Sequence, residues 1–200
     1  MKNISTYGLQ KIGNINLKKI RSSLTKNIIT NSDLCLKFEK KLTNFTGSKY
    51  SVACNNGTSA LMMAIIALQL KNTIAIIPNI NFVAVANIIA LLKGRIIFCD
   101  VNYHTGMIDK KSLIKILKTC KNKGIKPNLL IAMDYAGNSC DIESIYKICK
   151  KEKIQIIQDG CHSFGSKDSK NNYIGKSSKT SFTTFSFHPV KNITTIEGGA

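Results

Sequence analysis

The sequence predicts an α/β domain in which a mostly parallel sheet is covered by helices on both faces. Short runs of four to six apolar residues alternate along the chain with longer segments in which apolar residues recur at helical spacing. The short runs are continuously apolar, which is typical of strands buried on both faces of a parallel sheet. Turn residues separate the two kinds of segment: Gly47 follows a helical pattern, and Pro78 ends an apolar run.

The predicted elements alternate in chain order. Helices are expected over residues 36–45, 58–70, 83–92, 111–120 and 143–150. Strands are expected over residues 50–54, 74–77, 95–99, 128–133 and 154–158, and a further β-prone run covers 183–188. Because helical segments separate the strands, parallel pairing is favoured.

Composition limits the classes of protein to which the chain can belong. With 200 residues, of which 44% are hydrophobic, it can bury one substantial core. It contains no run of eighteen apolar residues, and Lys, Asn and Gly recur through residues 1–20. Neither a membrane span nor a signal peptide is therefore predicted, and a cytoplasmic location is expected.

The net charge is strongly positive, because 29 Lys and Arg residues outweigh 11 Asp and Glu residues to give +18. The lysines are spread along the whole chain, and Arg occurs only at Arg21 and Arg95. No basic block is interleaved with aromatic residues, as single-strand nucleic-acid binders require. We attribute the charge to the composition of an AT-rich genome, in which Ile, Lys and Asn are all frequent, and predict no nucleic-acid partner.

Seven cysteines form no CxxC pair and no pattern with the three histidines. This arrangement argues for reduced thiols and against a zinc site or a disulfide framework, so no metal is predicted. Cys161, although it stands between Asp159 and His162, is interpreted as a small apolar packing residue.

The sequence ends in the stretch FSFHPVKNITTIEGGA, residues 185–200, where a β-prone run stops at Pro189 and a lone lysine, Lys191, follows. In an α/β domain the carboxyl ends of the strands open onto the crevice where ligands bind. An amine partly removed from water at such a place is a usable nucleophile, as Schiff-base chemistry requires. Taken alone, however, a lysine is most often a solvated surface charge.

Ser186, His188, Lys191 and the run Glu197-Gly198-Gly199 together resemble the Schiff-base segment of the DegT/DnrJ/EryC1/StrS family of sugar aminotransferases, which use pyridoxal 5′-phosphate. The resemblance implies the large domain of a fold type I, or aspartate aminotransferase-like, pyridoxal-phosphate enzyme. It implies that Lys191 is catalytic and also binds the cofactor. A related branch of this fold dehydrates sugars and has histidine in place of the lysine, so Lys191 argues against that alternative.

A second motif joins the predicted strand over 50–54 to the helix that follows it. In Cys54-Asn55-Asn56-Gly57-Thr58-Ser59, free backbone N–H groups and the positive end of the helix dipole make an anion site. Thr58 or Ser59 could equally do no more than cap the helix. The family holds the cofactor phosphate at this turn, which implies phosphate contacts from Thr58, Ser59 and Ser186.

Asp159 ends the run IQIIQD, and the word DGCHSFGS around it resembles the family's D-x-x-H-[AS]-x-G. The resemblance places the Asp159 carboxylate against the pyridine nitrogen of the cofactor, which keeps that nitrogen protonated and the ring an electron acceptor. It places His162 against the ring or against Asp159. A turn cap is the alternative for Asp159, and a satisfied structural role is the alternative for His162. Phe82, in PNINFVAVAN, takes the position of the ring-stacking aromatic, with core packing as the alternative.

The word Asp134-Tyr135-Ala136-Gly137 narrows the resemblance to the branch that makes precursors of pseudaminic acid, since most other members have histidine at the position of Asp134. This branch implies a UDP-4-keto-6-deoxy-N-acetylhexosamine substrate, aminated at C4 with L-glutamate as the donor. The contacts of the branch with the nucleotide sugar or phosphate fall on Tyr7, Asn27, Ile28, Ile29, Thr30, Gly57 and Ser186.

The resemblance divides the chain into an N-terminal arm with the substrate loop, residues 1–35, and an incomplete cofactor-binding large domain, residues 36–200. Family members continue into a second, smaller domain and form homodimers, so this chain is expected to lack the smaller domain. Two alternatives to an active aminotransferase follow. One is an inactive truncated remnant, and the other is a basic binding protein in which the aminotransferase motifs are idle.

Overall fold

A computed structural model describes residues 17–25 and 32–200. In these residues the chain forms helices α1 (Leu17–Leu24), α2 (Asp33–Thr46), α3 (Gly57–Ala67), α4 (Val83–Leu91), α5 (Lys110–Asn122) and α6 (Ile142–Lys151). The strands are β1 (Ile74–Pro78), β2 (Arg95–Cys99), β3 (Leu129–Met133), β4 (Gln155–Asp159) and β5 (Phe182–Thr184). In this part of the chain, none of the helices is long and apolar enough to cross a membrane.

The strands form one sheet in the order β2-β1-β3-β4-β5, and every neighbouring pair is parallel. The register places Met133 opposite Asp159 and Asp159 opposite Thr184, so the carboxyl ends of β3, β4 and β5 lie side by side. Beyond β5, Gly199 pairs antiparallel with both Ser186 and Cys54. The prediction of a mostly parallel, mixed sheet is therefore confirmed.

Helices cover both faces of the sheet, as predicted. Side chains of a strand alternate between its faces: Ile77 packs with α3 and α4, whereas its neighbour Ile76 packs with α5 and α6. Both isoleucines are fully buried, and burial of a side chain of this size contributes about 1.5–3 kcal/mol to folding. Because both faces are covered, the strands are apolar at consecutive positions.

Three of the helices begin with the same local signal. Asn56, Asp109 and Asp141 each accept a hydrogen bond from the backbone N–H of the serine three positions later, at 2.8, 2.8 and 3.0 Å. Each cap satisfies one of the N–H groups that the first turn of a helix leaves without a partner. These short polar residues therefore fix where α3, α5 and α6 begin.

The predicted strand over 50–54 is wrong. Among the described residues, Cys54 is the one member of this run that pairs, and its partner is Gly199 from the far end of the sequence. Ala53 instead donates its N–H to the carboxylate of Glu39 in α2, at 2.9 Å. A side chain of α2 thus takes the hydrogen bond that a strand ladder would have used.

The β-prone run over 183–188 forms a parallel strand only at Phe182–Thr184. Beyond it, Phe185 and Phe187 exchange hydrogen bonds with the returning segment 198–200. The helix predicted over 58–70 ends earlier, at Ala67. Helix α1 lies within the segment that the sequence predicts as an arm, where no helix was expected.

Candidate active site

The carboxyl edge of the sheet brings together residues that are far apart in the sequence. Asp159 ends β4, Ser186 follows β5, and Gly57 begins α3. A Cβ atom built on Gly57 would lie 2.7 Å from Ser186 Cβ and 3.1 Å from Cys161 Sγ. Gly57, Asp159 and Ser186 were predicted as site residues, whereas Cys161 was interpreted as a packing residue, yet its thiol lies beside Gly57.

Lys191 and Asp159 provide opposite charges to the same small space. Burial lowers the pKa of His162, the Lys191 cation lowers it further, and the Asp159 carboxylate opposes both. Burial raises the pKa of the Cys161 thiol well above its usual value, Asp159 adds to the effect, and Lys191 opposes it. His162 is therefore a neutral imidazole and Cys161 a protonated thiol at neutral pH, and both adjoin the predicted lysine and carboxylate.

The amino end of α3 leaves two hydroxyl groups free. The side chain of Asn56 caps the helix by accepting the N–H of Ser59, so neither Thr58 nor Ser59 has this task. Within the described residues, no hydrogen bond involves the hydroxyl of Thr58 or that of Ser59. Free hydroxyls next to the positive end of a helix dipole suit an anion such as a phosphate. The capping alternative for Thr58 and Ser59 is therefore wrong, because Asn56 fills the role.

Gly199 allows the final stretch to reach α3. The backbone N–H of Cys54 donates to the Gly199 carbonyl at 2.9 Å, and the N–H of Gly199 donates to the Cys54 carbonyl, also at 2.9 Å. A Cβ atom on Gly199 would overlap the carbonyl of Asn56 and lie 2.8 Å from the nitrogen of Gly57. Only glycine permits this approach of two backbones, and the approach closes one side of the site.

Substitution of Gly199 by alanine is expected to lower the free energy of unfolding by about 3 kcal/mol, because the overlapping atoms are backbone atoms that cannot rotate away. Gly198→Ala is the matched control: its new Cβ would overlap only the Thr195 hydroxyl, a side-chain atom. Urea unfolding of both variants measures the effect. Equal losses in the two variants would contradict the close approach at Gly199.

The carboxylate of Asp159 is buried but keeps capacity to accept hydrogen bonds. The residue is 6% exposed, and its Oδ1 accepts the backbone N–H of Cys161 at 3.1 Å. This bond is the Asx-type turn that the sequence offered as the alternative role, so Asp159 does cap its own turn. The carboxylate also faces the Cys161 thiol, whose pKa it raises through its charge and through a hydrogen bond. A carboxylate has about four lone-pair sites, so it can still accept a hydrogen bond from a ligand.

Hydrogen bonds within the final stretch fix the loop that carries Lys191. The carbonyl of His188 accepts the N–H of Lys191 at 2.9 Å, and the hydroxyl of Thr194 donates to the carbonyl of Phe187 at 2.8 Å. Thr194 also accepts the N–H of Ile196 at 2.8 Å, in a turn where Ile196 has a positive φ of 74°. Positive φ is strained for a β-branched residue, and here it returns the chain alongside the segment that follows β5.

Phe82 is exposed, so its alternative role in core packing is wrong. The side chain is 66% exposed at the start of α4, beside the carboxyl end of β1. Its backbone N–H donates to Asn81 Oδ1 at 2.8 Å, which fixes the turn. Among the described residues its ring has no aromatic partner, and it is therefore available to stack on a ligand.

A buried carboxylate next to the site was not predicted to have a role. Asp134 is completely buried and accepts hydrogen bonds from the hydroxyl of Ser163, the backbone N–H of Cys140 and the amide of Gln158. From the sequence, Asp134 indicates only a similarity to one branch of the family. Its partners lie 6 to 29 positions away in the chain, so local patterns gave no signal.

The stability of the protein is expected to depend on the protonation of Asp134. Burial raises the pKa of this carboxyl from 3.8 to about 6, against the opposing effect of its hydrogen-bond donors. Because the pKa is higher in the folded protein than in the unfolded chain, the protonated carboxyl contributes to stability. This contribution is full below pH 4 and is lost as the pH rises through 6, so the free energy of unfolding falls by about 3 kcal/mol in all. Urea unfolding between pH 4 and 7 should show this decline in the wild type and not in Asp134→Asn. Parallel curves would contradict it.

The remaining predicted contacts lie outside the described residues. They are the nucleotide-sugar contacts assigned by resemblance to Tyr7, Asn27, Ile28, Ile29 and Thr30. The other predicted site residues all lie at the carboxyl edge of the sheet or at the helix starts beside it. They are Gly57, Thr58, Ser59, Phe82, Asp159, His162, Ser186 and Lys191.

A parallel sheet with a lysine, a buried carboxylate and a helix start at its carboxyl edge is the arrangement expected of a pyridoxal-phosphate-dependent aminotransferase. The chain belongs to the DegT/DnrJ/EryC1/StrS aminotransferase family, whose sequence profile matches residues 10–200. The predictions of family, fold and cofactor are therefore confirmed.

Named relatives agree with this assignment. The UDP-4-amino-4,6-dideoxy-N-acetyl-beta-L-altrosamine transaminase of Campylobacter jejuni is 34% identical over 196 residues, which are 98% of this chain and 50% of the relative. Helicobacter pylori PseC, an aminotransferase involved in the biosynthesis of pseudoaminic acid, has a solved structure that superposes with a TM-score of 0.84 at 28% identity, over 97% of this chain and 50% of that one. The aminotransferase from Psychrobacter cryohalolentis superposes with a TM-score of 0.82 at 25% identity, over 94% of this chain and 47% of that one. The chain thus spans about half the length of these relatives.

The residues present fit the family's cofactor. The buried, incompletely bonded carboxylate of Asp159 suits a protonated pyridine nitrogen. The start of α3, with the free hydroxyls of Thr58 and Ser59, suits a phosphate group. Lys191 carries the amine that pyridoxal phosphate requires, and the exposed ring of Phe82 offers a stacking face.

Proposed function

We propose that this chain carries the cofactor-binding part of an aminotransferase that aminates a UDP-4-keto-6-deoxy-N-acetylhexosamine at C4, with L-glutamate as the amino donor. The observation that carries the proposal is the convergence of Lys191, Asp159 and the start of α3 at one edge of the sheet. The aminotransferases of Campylobacter jejuni and Helicobacter pylori support the choice of sugar, since each of them aligns with nearly the whole length of this chain. The product belongs to nonulosonic acid and surface polysaccharide biosynthesis.

When bound, pyridoxal phosphate supplies an electron sink for the carbanion that transamination requires. The Lys191 amine acts as a general base that removes the proton from the α-carbon of the amino donor. It then acts as a general acid that gives a proton back later in the reaction. Asp159 holds a positive charge on the pyridine nitrogen. His162, neutral because of its burial and the adjacent lysine, adds a hydrogen-bonding group without competing for the charge of Asp159.

The phosphate is held at the start of α3. There Thr58 and Ser59 supply hydroxyl groups from the first turn, and Ser186 supplies a third from the strand side. Gly57 is the first residue of α3, and the absence of a side chain there lets Ser186 approach the start of the helix. Phe82 sets the plane of the ring.

The substrate side of the proposal extends to residues outside the described part of the chain. Residues 1–35 are proposed to form an arm and substrate loop in which Tyr7 and the run Asn27, Ile28, Ile29 and Thr30 contact the nucleotide sugar. Residues 36–200 are proposed as the cofactor-binding domain. A cytoplasmic homodimer is the proposed assembly, in keeping with the family.

The glutamate half-reaction tests the proposal. The purified protein, loaded with pyridoxal phosphate, is mixed with L-glutamate, and the visible absorbance of the cofactor and the release of 2-oxoglutarate are followed. We expect the band to disappear as 2-oxoglutarate forms in an equal amount, and to return when a UDP-4-keto-6-deoxy sugar is added. Failure to take up the cofactor would favour the inactive remnant or the idle binding protein, and loss of a sugar hydroxyl instead of amination would favour the dehydratase.

A further inference from the structure

Asp134 is a completely buried charged side chain directly behind the site, and none of the roles proposed above uses it. Its Oδ1 accepts the backbone N–H of Cys140 at 2.8 Å, and its Oδ2 accepts the hydroxyl of Ser163 at 2.6 Å. The amide nitrogen of Gln158 donates to both oxygens, at 3.1 and 2.9 Å. Because every partner is a donor, only a group that accepts at both of its oxygens satisfies them all.

The contact with Ser163 links Asp134 to the turn that follows Asp159. The backbone N–H of Asp134 donates to the carbonyl of Asp159 at 2.9 Å, which fixes the end of β4. Ser163 closes the turn by donating its N–H to the carbonyl of Gly160 at 2.9 Å, while its single hydroxyl proton is directed to Asp134 at the shorter distance of 2.6 Å. Asp134 therefore bonds to Asp159, just before the turn 160–163, and to Ser163 at the end of this turn.

Asp134 supports this turn from the face of the sheet opposite the site. Ile157 of β4 packs with α3 and α4, and Ile156 packs on the other face. By the alternation of a strand, Gln158 shares the face of Ile156, and Asp159 shares that of Ile157. The carboxylate bonded to Gln158 therefore leaves the space beside Asp159 open to a ligand.

We propose that Asp134 is a positioning residue, whose hydrogen bond to Ser163 holds the turn 160–163 so that Asp159 and His162 face the cofactor. The effect on the cofactor rests on the proposed function. The holding of the turn does not, and it can be measured on the protein without cofactor.

The first test is the rate at which a thiol reagent modifies Cys161, which lies partly buried on the turn. Cys35, exposed on α2, serves as the internal standard in the same chain. We expect Asp134→Asn to raise the relative rate at Cys161 by about tenfold, since the amide leaves buried donors without an acceptor and the turn opens more often. Ser163→Ala, which removes one hydroxyl, should raise the rate by a smaller factor.

Asp141→Asn is the matched control, because it makes the same chemical change at the cap of α6, outside the turn. It should leave the relative rate at Cys161 unchanged. A folded Asp134→Asn protein with the wild-type rate would overturn the proposal. If that variant does not fold, a wild-type rate in Ser163→Ala overturns it equally.

The second test measures the consequence for the site. Titration with pyridoxal phosphate should show affinity weakened by about tenfold in Asp134→Asn, with a shifted absorbance maximum of the bound cofactor, and neither change in Asp141→Asn. Faster modification of Cys161 with wild-type affinity and spectrum would overturn the positioning of Asp159 and His162. If the wild-type protein takes up no cofactor, the proposed function fails, and the Cys161 rates alone decide whether Asp134 holds the turn.

Discussion

Replacement of Lys191 by alanine is expected to abolish the visible absorbance that pyridoxal phosphate acquires in the protein. Lys191 is the lysine whose charge acts on Cys161 and His162, where it opposes the effect of the Asp159 carboxylate. In the proposed roles of Lys191, loss of its amine removes both the covalent attachment of the cofactor and the group that moves the proton. The rate of the glutamate half-reaction should therefore fall by at least about a thousandfold.

The matched control for this change is Lys179→Ala. Lys179 is also a partly buried lysine, but it pairs with Glu143 at 3.0 Å on the α6 side of the molecule. This variant should keep the visible band and the rate. A Lys191→Ala protein that retained the band would assign the chemistry to another lysine.

Replacement of Asp159 by asparagine is expected to slow the half-reaction far more than it weakens cofactor binding. The amide oxygen can still accept the N–H of Cys161, so the turn keeps its bond of 3.1 Å. The proposed phosphate contacts at the start of α3 do not involve this side chain. What is lost is the charge that, in the proposed role, keeps the pyridine nitrogen protonated. We expect the rate to fall by roughly a hundredfold or more, and the dissociation constant of the cofactor to rise by less than about tenfold.

Stopped-flow absorbance with L-glutamate gives the rate, and titration of the protein without cofactor gives the dissociation constant. Asp141→Asn, at a helix cap on the other face, should change neither quantity. Equal losses of rate and affinity in Asp159→Asn would indicate that the carboxylate serves only to cap its turn.

Much of the fold could be predicted because its signals are local. The continuously apolar strands predicted a parallel sheet covered on both faces, and the burial of Ile76 and Ile77 on opposite faces is the physical reason. The strand predicted over 50–54 failed because its pairing is not local. Cys54 finds its partner in Gly199, and Ala53 donates to Glu39 of a preceding helix.

The candidate site divides in the same way. Lys191 and Asp159 were predicted from short motifs whose chemistry requires those residue types. The positions of Cys161 and Asp134 were not predicted. A cysteine in a sequence is most simply interpreted as a small packing residue, and nothing in the sequence around a carboxylate indicates that it is buried. Asn56 was within reach of prediction, since asparagine is among the strongest helix caps, but Thr58 and Ser59 beside it are capping residue types too, so composition alone does not single out Asn56.

Borohydride reduction followed by peptide mass spectrometry tests the central claim most directly. The protein is saturated with pyridoxal phosphate, reduced and digested, and each lysine-containing peptide is examined for the mass of the reduced cofactor. We predict that the added mass is found on Lys191 and that its yield matches the loss of the visible band. Modification spread over surface lysines with Lys191 unmodified would contradict the assignment of this edge of the sheet as the active site.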